Sequence, residues 1–220
     1  LEEFKSTKFD ILLCSIPKHV SRWIKLRDQF KPQAKLIMQI GNAWAFDNNF
    51  QIKNILASAI IPPLSDFNIC QYHQEFSLDI FYPTPVESNK KIYSFINCLN
   101  TVDIYKDDWE LFLELERLMP TWEFRSYGGQ CRDSALAPSS VVADKMREAT
   151  WVFNSKKFAD GFGHSIHSAM AVGRPLIVNY GDYKDKLAGS KLIPGVDCIN
   201  VDNKSPLQIR DEIIRCSEPT

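Results

Sequence analysis

The residues best suited to chemistry lie together in Ser155-Lys156-Lys157-Phe158-Ala159-Asp160-Gly161-Phe162-Gly163-His164. The apolar run 151–154 enters this segment as a strand, and a helix opens at about Gly163, so the glycines fall on a strand-to-helix turn. Such a turn can cradle a phosphate, because its N–H groups are exposed, the helix dipole favours an anion there and glycines let a ligand approach the backbone. Lys156 and Lys157 place cations beside it. Within the helix, His164, His167, Ser168 and Ala171 share one face, while Ile166, Ala169 and Met170 form an apolar one. Taken alone, Asp160 is a turn or helix-capping aspartate, and the lysines are a solvated pair. His164 and His167 could face one zinc ion, but the sequence offers no third ligand, so no metal is expected.

The elements that must position this segment alternate between strand and helix. The run 9–16 reads as a buried strand ended by Pro17, 20–30 as an amphipathic helix and 34–40 as a second strand ended by Gly41. A further apolar run begins near Ile52 and stops at Pro62-Pro63. Pro83-Thr84-Pro85 and the polar residues behind it form a stiff stretch that suits a domain boundary, giving domains at 1–85 and 86–220. Beyond it, strands are expected at 92–99, 122–127, 151–154, 175–179 and 198–201. Helices are expected at 108–119, 139–149, 163–172 and 206–216, the first of them opened by acidic residues that suit its positive end. Gly128-Gly129 reads as a turn after the second of these strands, Gly173 as a helix stop with Arg174 merely flanking it, and the tryptophans at 23, 109, 122 and 151 as core or boundary aromatics. The pattern predicts an α/β fold of two doubly wound units, the first incomplete, with ligands at loops that follow strands.

Composition narrows the function classes. The 220 residues are 45% hydrophobic and 24% charged, the balance of a folded soluble chain. Twenty-six basic against twenty-seven acidic residues leave a net charge of −1, so there is no global field for nucleic acid or an anionic membrane. The six cysteines lack any CxxC pair or zinc-like spacing and read as reduced thiols, which suits the cytoplasm. No stretch reaches the roughly 18 to 20 apolar residues of a membrane span, and no signal peptide is evident. The chain opens at Leu1 rather than at methionine. A first domain ending near residue 85 is short against the usual size of about 100 to 150 residues, so part of it is expected to be missing.

The segment 151–179, WVFNSKKFADGFGHSIHSAMAVGRPLIVN, resembles the donor-binding segment of retaining glycosyltransferases of the large family 4 type, which have the GT-B fold of two Rossmann-like domains. An acidic residue with Gly-Phe-Gly, a helix ending in Ala-Met-Ala and a Gly-x-Pro before a strand recur in that family. Asp160 to Gly163, Ala169 to Ala171 and Gly173-Arg174-Pro175 match them here. The resemblance implies that Asp160, in place of the usual glutamate, holds sugar hydroxyls. It implies that Ser168 occupies the place of the glutamate that grips the ribose. Asn97-Cys98-Leu99-Asn100 replaces the family's Gly-Arg, with Lys106 as the lysine that follows, so Lys106, Lys156 and the helix end must neutralise the diphosphate.

The implied activity is hexosyl transfer from a nucleoside-diphosphate sugar to a glycan, lipid or protein acceptor, with retention of configuration and without cofactor or metal. Departure of the diphosphate is stabilised by cations and aligned N–H groups. Gly128, Gly129, Gly161, Phe162, Gly163, His164 and Ser168 join Lys106 at the donor, and Asp160, His19 and Lys156 are the catalytic candidates. His19, in the loop after the first strand, is the candidate general base or acceptor contact, with His73 as its rival. Loss of the second glutamate and of the arginine leaves open a non-catalytic nucleotide-sugar or glycan binding module, and a third possibility is a GT-B nucleotide-sugar epimerase.

Overall fold

The computed structural model describes residues 2–41, 46–59, 61, 63–72, 77–87, 89–157, 163–186 and 188–218. His73, Asp160, Gly161 and Phe162 lie outside them. The chain forms two compact units, residues 1–73 and residues 74–158 with 162–220. The division falls before the Pro83-Thr84-Pro85 stretch expected to mark it, and that stretch packs in the second unit. The cause is Arg174. This residue is buried, and its guanidinium donates to the Thr84 carbonyl and hydroxyl at 2.8 Å each, to the Pro85 carbonyl and to the Arg147 carbonyl. A residue expected only to flank a turn is thus a buried strap whose guanidinium finds its hydrogen-bond acceptors in part-buried carbonyls of 84–85 and 147.

The first unit contains α1 (Glu2–Ser6), β1 (Ile11–Cys14), α2 (Val20–Phe30), β2 (Lys35–Ile40), β3 (Asn54–Ala57) and β4 (Asn68–Gln71). Its strands are all parallel and lie in sequence order, β1-β2-β3-β4. Alternation along each strand sends Leu12, Cys14, Leu36, Met38, Ile40 and Ile55 to one face, against Val20, Trp23 and Ile24 of α2. Ile11 and Leu13 point the other way and are 55% and 49% exposed. The short α1 and β4 had no distinct signal in the sequence.

The second unit contains β5 (Lys91–Ser94), α3 (Lys106–Leu118), β6 (Glu123–Ser126), α4 (Ser139–Glu148), β7 (Trp151–Asn154), α5 (His164–Ala171), β8 (Leu176–Val178), α6 (Tyr180–Tyr183), β9 (Cys198–Asn200) and α7 (Pro206–Ser217). Each element expected from periodicity after residue 91 is present, and the strand expected to run on to Leu99 stops at Ser94. Beyond it the chain turns, with Cys98 in the left-handed region at φ 68°. The strands are parallel in the order β6-β5-β7-β8-β9. Both faces are covered: α3 and α7 pack Phe112, Leu115, Ile209 and Ile213 on one, and α5 packs Ile166 and Ala169 on the other. A capping box between Ser205 and Gln208 starts α7. No helix among the described residues is long and apolar enough to cross a membrane.

Candidate functional site

Order β6-β5-β7-β8-β9 is 2-1-3-4-5 in chain order within the unit, so the winding reverses between β5 and β7. Connections from those two strands leave to opposite sides and open a crevice at their carboxyl ends, where ligands bind in doubly wound sheets. All five strands bring a small polar residue to that edge: Ser94, Ser126 and Asn154 end β5, β6 and β7, Asn179 follows β8 and Asn200 ends β9. The side chains of Ser126 and Asn154 each retain a buried oxygen without a hydrogen-bond partner. Ser or Asn recurring at the ends of apolar runs is legible in the sequence.

Lys156 and Lys157 leave the end of β7 directly into this edge and are half-buried. Gly163 is the N-cap of α5 at φ 80°, a conformation that favours glycine, and the helix starts at His164 as expected. Ser165 fixes the entry of α5 across the crevice by donating to the Phe95 carbonyl at 3.1 Å, in the turn after β5. This contact was missed in the sequence because the register of helix against strand is a tertiary property. The structure brings Lys156, Gly163, His164 and Ser168 to one edge of one sheet.

His164, Ser165 and Ser168 line a cavity of about 340 Å³ together with Phe95, Ser139 and Phe81. Ser168 is only 5% exposed where it lines this cavity. The polar face expected for α5 is therefore only partly polar: Ala171 packs with Phe81, Met146 and Val172 in an apolar cluster. The Nδ1 atom of His167 lies 3.2 Å from the Gly163 carbonyl, back along its own helix. Among the described residues no group of three His, Cys, Asp or Glu side chains could hold a metal ion.

Gly128 and Gly129 follow β6 and close on the turn after β5. The Gly129 N–H donates to Asn97 Oδ1 at 2.6 Å, and a Cβ on Gly128 would stand 2.7 Å from Cys131 Sγ and 3.0 Å from the Asn97 Cα. Close approach of two loops therefore accounts for Gly128 without any ligand. Lys106 opens α3 but is 72% exposed and lies 3.9 Å from Glu110, one turn on. It extends from the crevice edge into solvent rather than into a formed pocket. His19 ends a 3-10 turn that follows β1, at the carboxyl edge of the first unit's sheet. It belongs to the other unit from Lys156 and Ser168.

A second cavity at the same edge, about 510 Å³, is lined by Asp107, Asp108, Lys157, Gly181, Asp202 and Lys204. Asp108 is 3% exposed and its Oδ1 accepts the Ser155 hydroxyl at 2.8 Å. Burial pushes its carboxyl up to about 6, against the lowering effects of Ser155 and Lys157. Periodicity identified Asp108 as a helix-opening acid but could not show that it is buried.

No protein-family model matches the sequence, and no curated protein matches it. The fold is that of solved glycosyltransferases. Anabaena HepE in complex with UDP and glucose superposes with a TM-score of 0.70 at 13% identity, over 95% of this chain and 68% of its own. A glycosyltransferase from Rickettsia africae gives 0.66 at 13% identity, over 98% and 68%. The pneumococcal O-GlcNAc transferase GtfA, in complex with UDP and GlcNAc, gives 0.58 at 12% identity, over 98% of this chain and 51% of its own. At such identities the likeness establishes the fold: two parallel α/β sheets of the GT-B kind, of which this chain spans part.

Proposed function

We propose that this chain binds a nucleoside-diphosphate sugar at the carboxyl edge of the second unit and serves a retaining glycosyltransferase. The observation that carries the reading is the β5/β7 reversal, which puts the lysine loop and the N-terminus of α5 at one crevice. Structures of the same fold hold UDP with glucose and UDP with GlcNAc, which favours a uridine donor. Lys156 and the first N–H groups of α5 would receive the diphosphate, and the Ser168 cavity would take the ribose or base. The family resemblance of 160–163 assigns Asp160 to the sugar.

In the transfer the anomeric C–O bond breaks and its electron pair leaves with the diphosphate. The acceptor hydroxyl oxygen bonds the anomeric carbon from the same face and releases its proton to the departing phosphate oxygen. Lysine cations and aligned N–H groups lower the barrier by matching charge as it gathers on that leaving group, which requires no cofactor or metal. His19 is the proposed acceptor contact, and a cytoplasmic location suits the free cysteines.

One observation favours a second reading, a binding module without turnover. Ser168 is too short to make the two-oxygen contact that a glutamate makes with a ribose. The test is calorimetric titration of UDP, UDP-glucose and GDP into wild type, Lys156→Ala and Asp160→Ala. Saturable binding of one sugar nucleotide, weakened about tenfold by Lys156→Ala, supports the donor site, and turnover of that sugar nucleotide separates enzyme from module. Absence of binding by all three to folded wild type removes the proposed donor site and leaves the non-catalytic module.

A further inference from the structure

α3 and the residue before it, Tyr105, face the loop after β7. The Asp108 carboxylate accepts the Ser155 hydroxyl at 2.8 Å, Lys156 Nζ lies 5.8 Å from the Tyr105 ring centroid, and Lys157 shares the 510 Å³ cavity with Asp107 and Asp108. A helix-opening acid needs only solvent and the helix end, and nothing in that role requires burial. Asp108 is nonetheless 3% exposed, and its Oδ1 accepts the hydroxyl of the loop residue Ser155. Its charge is disfavoured there, since burial outweighs both Ser155 and Lys157. A charge held against its own desolvation, at the edge where a ligand is expected, marks a group kept for function.

We infer that Asp108 is a positioning residue: its buried carboxylate latches Ser155 and draws in Lys157, so that the lysine loop stands ready for a diphosphate. The functional half of this inference rests on the donor reading above. The groups facing the carboxylate come from four elements. Asp107 precedes it on α3, Lys157 follows β7, and Asp182 lies on α6. Asp202 and Lys204 follow β9, Lys204 being paired with Glu212 of α7. Of these, Lys157 favours the ionised latch, and Asp107 and Asp182 oppose it. Protonation weakens both the Ser155 hydrogen bond and the pull on Lys157, so the loop loosens as pH falls through about 6.

The test compares wild type, Asp108→Asn and Ser155→Ala by amide hydrogen exchange across 155–157 and by UDP-glucose titration from pH 5 to 8. UDP-glucose is the probe because it has no group titrating in that range. Faster exchange in both variants is expected. Binding should weaken about tenfold in Asp108→Asn, by the contribution of one charge-assisted hydrogen bond. The wild-type loss of affinity below pH 6 should be absent from that variant. Asparagine keeps the shape and removes a disfavoured buried charge, so the variant should melt higher than wild type at pH 8 and still bind more weakly. A purely structural aspartate would give the higher melting point alone, with wild-type affinity and pH profile, and that result overturns the inference. Unchanged exchange at 155–157 in both variants overturns it as well, whether or not ligand binds. Faster exchange in a protein whose wild type binds no UDP-glucose upholds the latch and discards the donor reading.

Discussion

The two sheets are built from the same kind of strand and differ in winding. In the first unit β1-β2-β3-β4 run in sequence order, with the apolar side chains of α2 on one face and Ile11 and Leu13 exposed on the other. In the second, the order β6-β5-β7-β8-β9 reverses once, helices cover both faces, and small polar residues end or follow all five strands at the carboxyl edge. Apolar runs of similar length thus yield a one-sided sheet or a crevice according to the side from which each connection returns. Function concentrates where winding reverses, because only there do neighbouring loops part and leave backbone N–H groups unblocked.

The comparison can be broken by substitution. Arg174→Ala should produce the largest effect, since it leaves the carbonyls of Thr84, Pro85 and Arg147 without their donor. A loss of about 3 kcal/mol or more is expected. In urea the second unit should unfold earlier while the first keeps its midpoint; a common shift of both would show that the units are not independent. Ile166→Ala, under a fully buried side chain between α5 and the sheet, should remove about 3 kcal/mol from the same transition.

Asp108→Asn tests the site's share of that stability. The Asp108 carboxyl is raised from 3.8 to about 6, so the folded state holds its proton more tightly than the unfolded chain. By linkage the folded state loses stability as pH rises from about 4 to above 6, and the loss is complete at pH 8. Asparagine does not titrate, so its advantage over wild type should be about 3 kcal/mol at pH 8 and fade as pH falls below about 4, read from denaturant midpoints. Gly128→Ala should cost about 1–2 kcal/mol by forcing apart Cys131 and Asn97. Donor affinity should fall with it if the crevice depends on that contact. Leu13→Ser, on the exposed face of β1, should change stability by less than about 0.5 kcal/mol. A larger loss there would mean that this face is covered in solution.

Local signals were enough for much of this. The 3.6-residue spacing of Val20, Trp23, Ile24 and Phe30 placed α2, the short apolar runs placed β1, β2, β7 and β8, and Gly163 placed the start of α5, because each depends on neighbours within one turn or one strand. Of the glycines beside Lys156 and Lys157, the structure describes Gly163, whose place as the N-cap of α5 is legible for the same reason. Small elements with little periodicity, α1, β4 and α6, left no such mark.

Burial and partnership were decided only in three dimensions. Arg174 and Thr84 are ninety residues apart, as Asp108 and Ser155 are forty-seven apart. No local pattern distinguishes a buried arginine strap from a turn residue, or a desolvated carboxylate from a helix-opening acid. The sequence by itself determined that strands and helices alternate and that α5 opens at Gly163 after β7. The tertiary structure decided the strand order, the strap that brings 83–85 into the second unit and the aspartate beneath the lysines. These depend on contacts between distant segments, whose free energy is gained only when the whole sheet is closed.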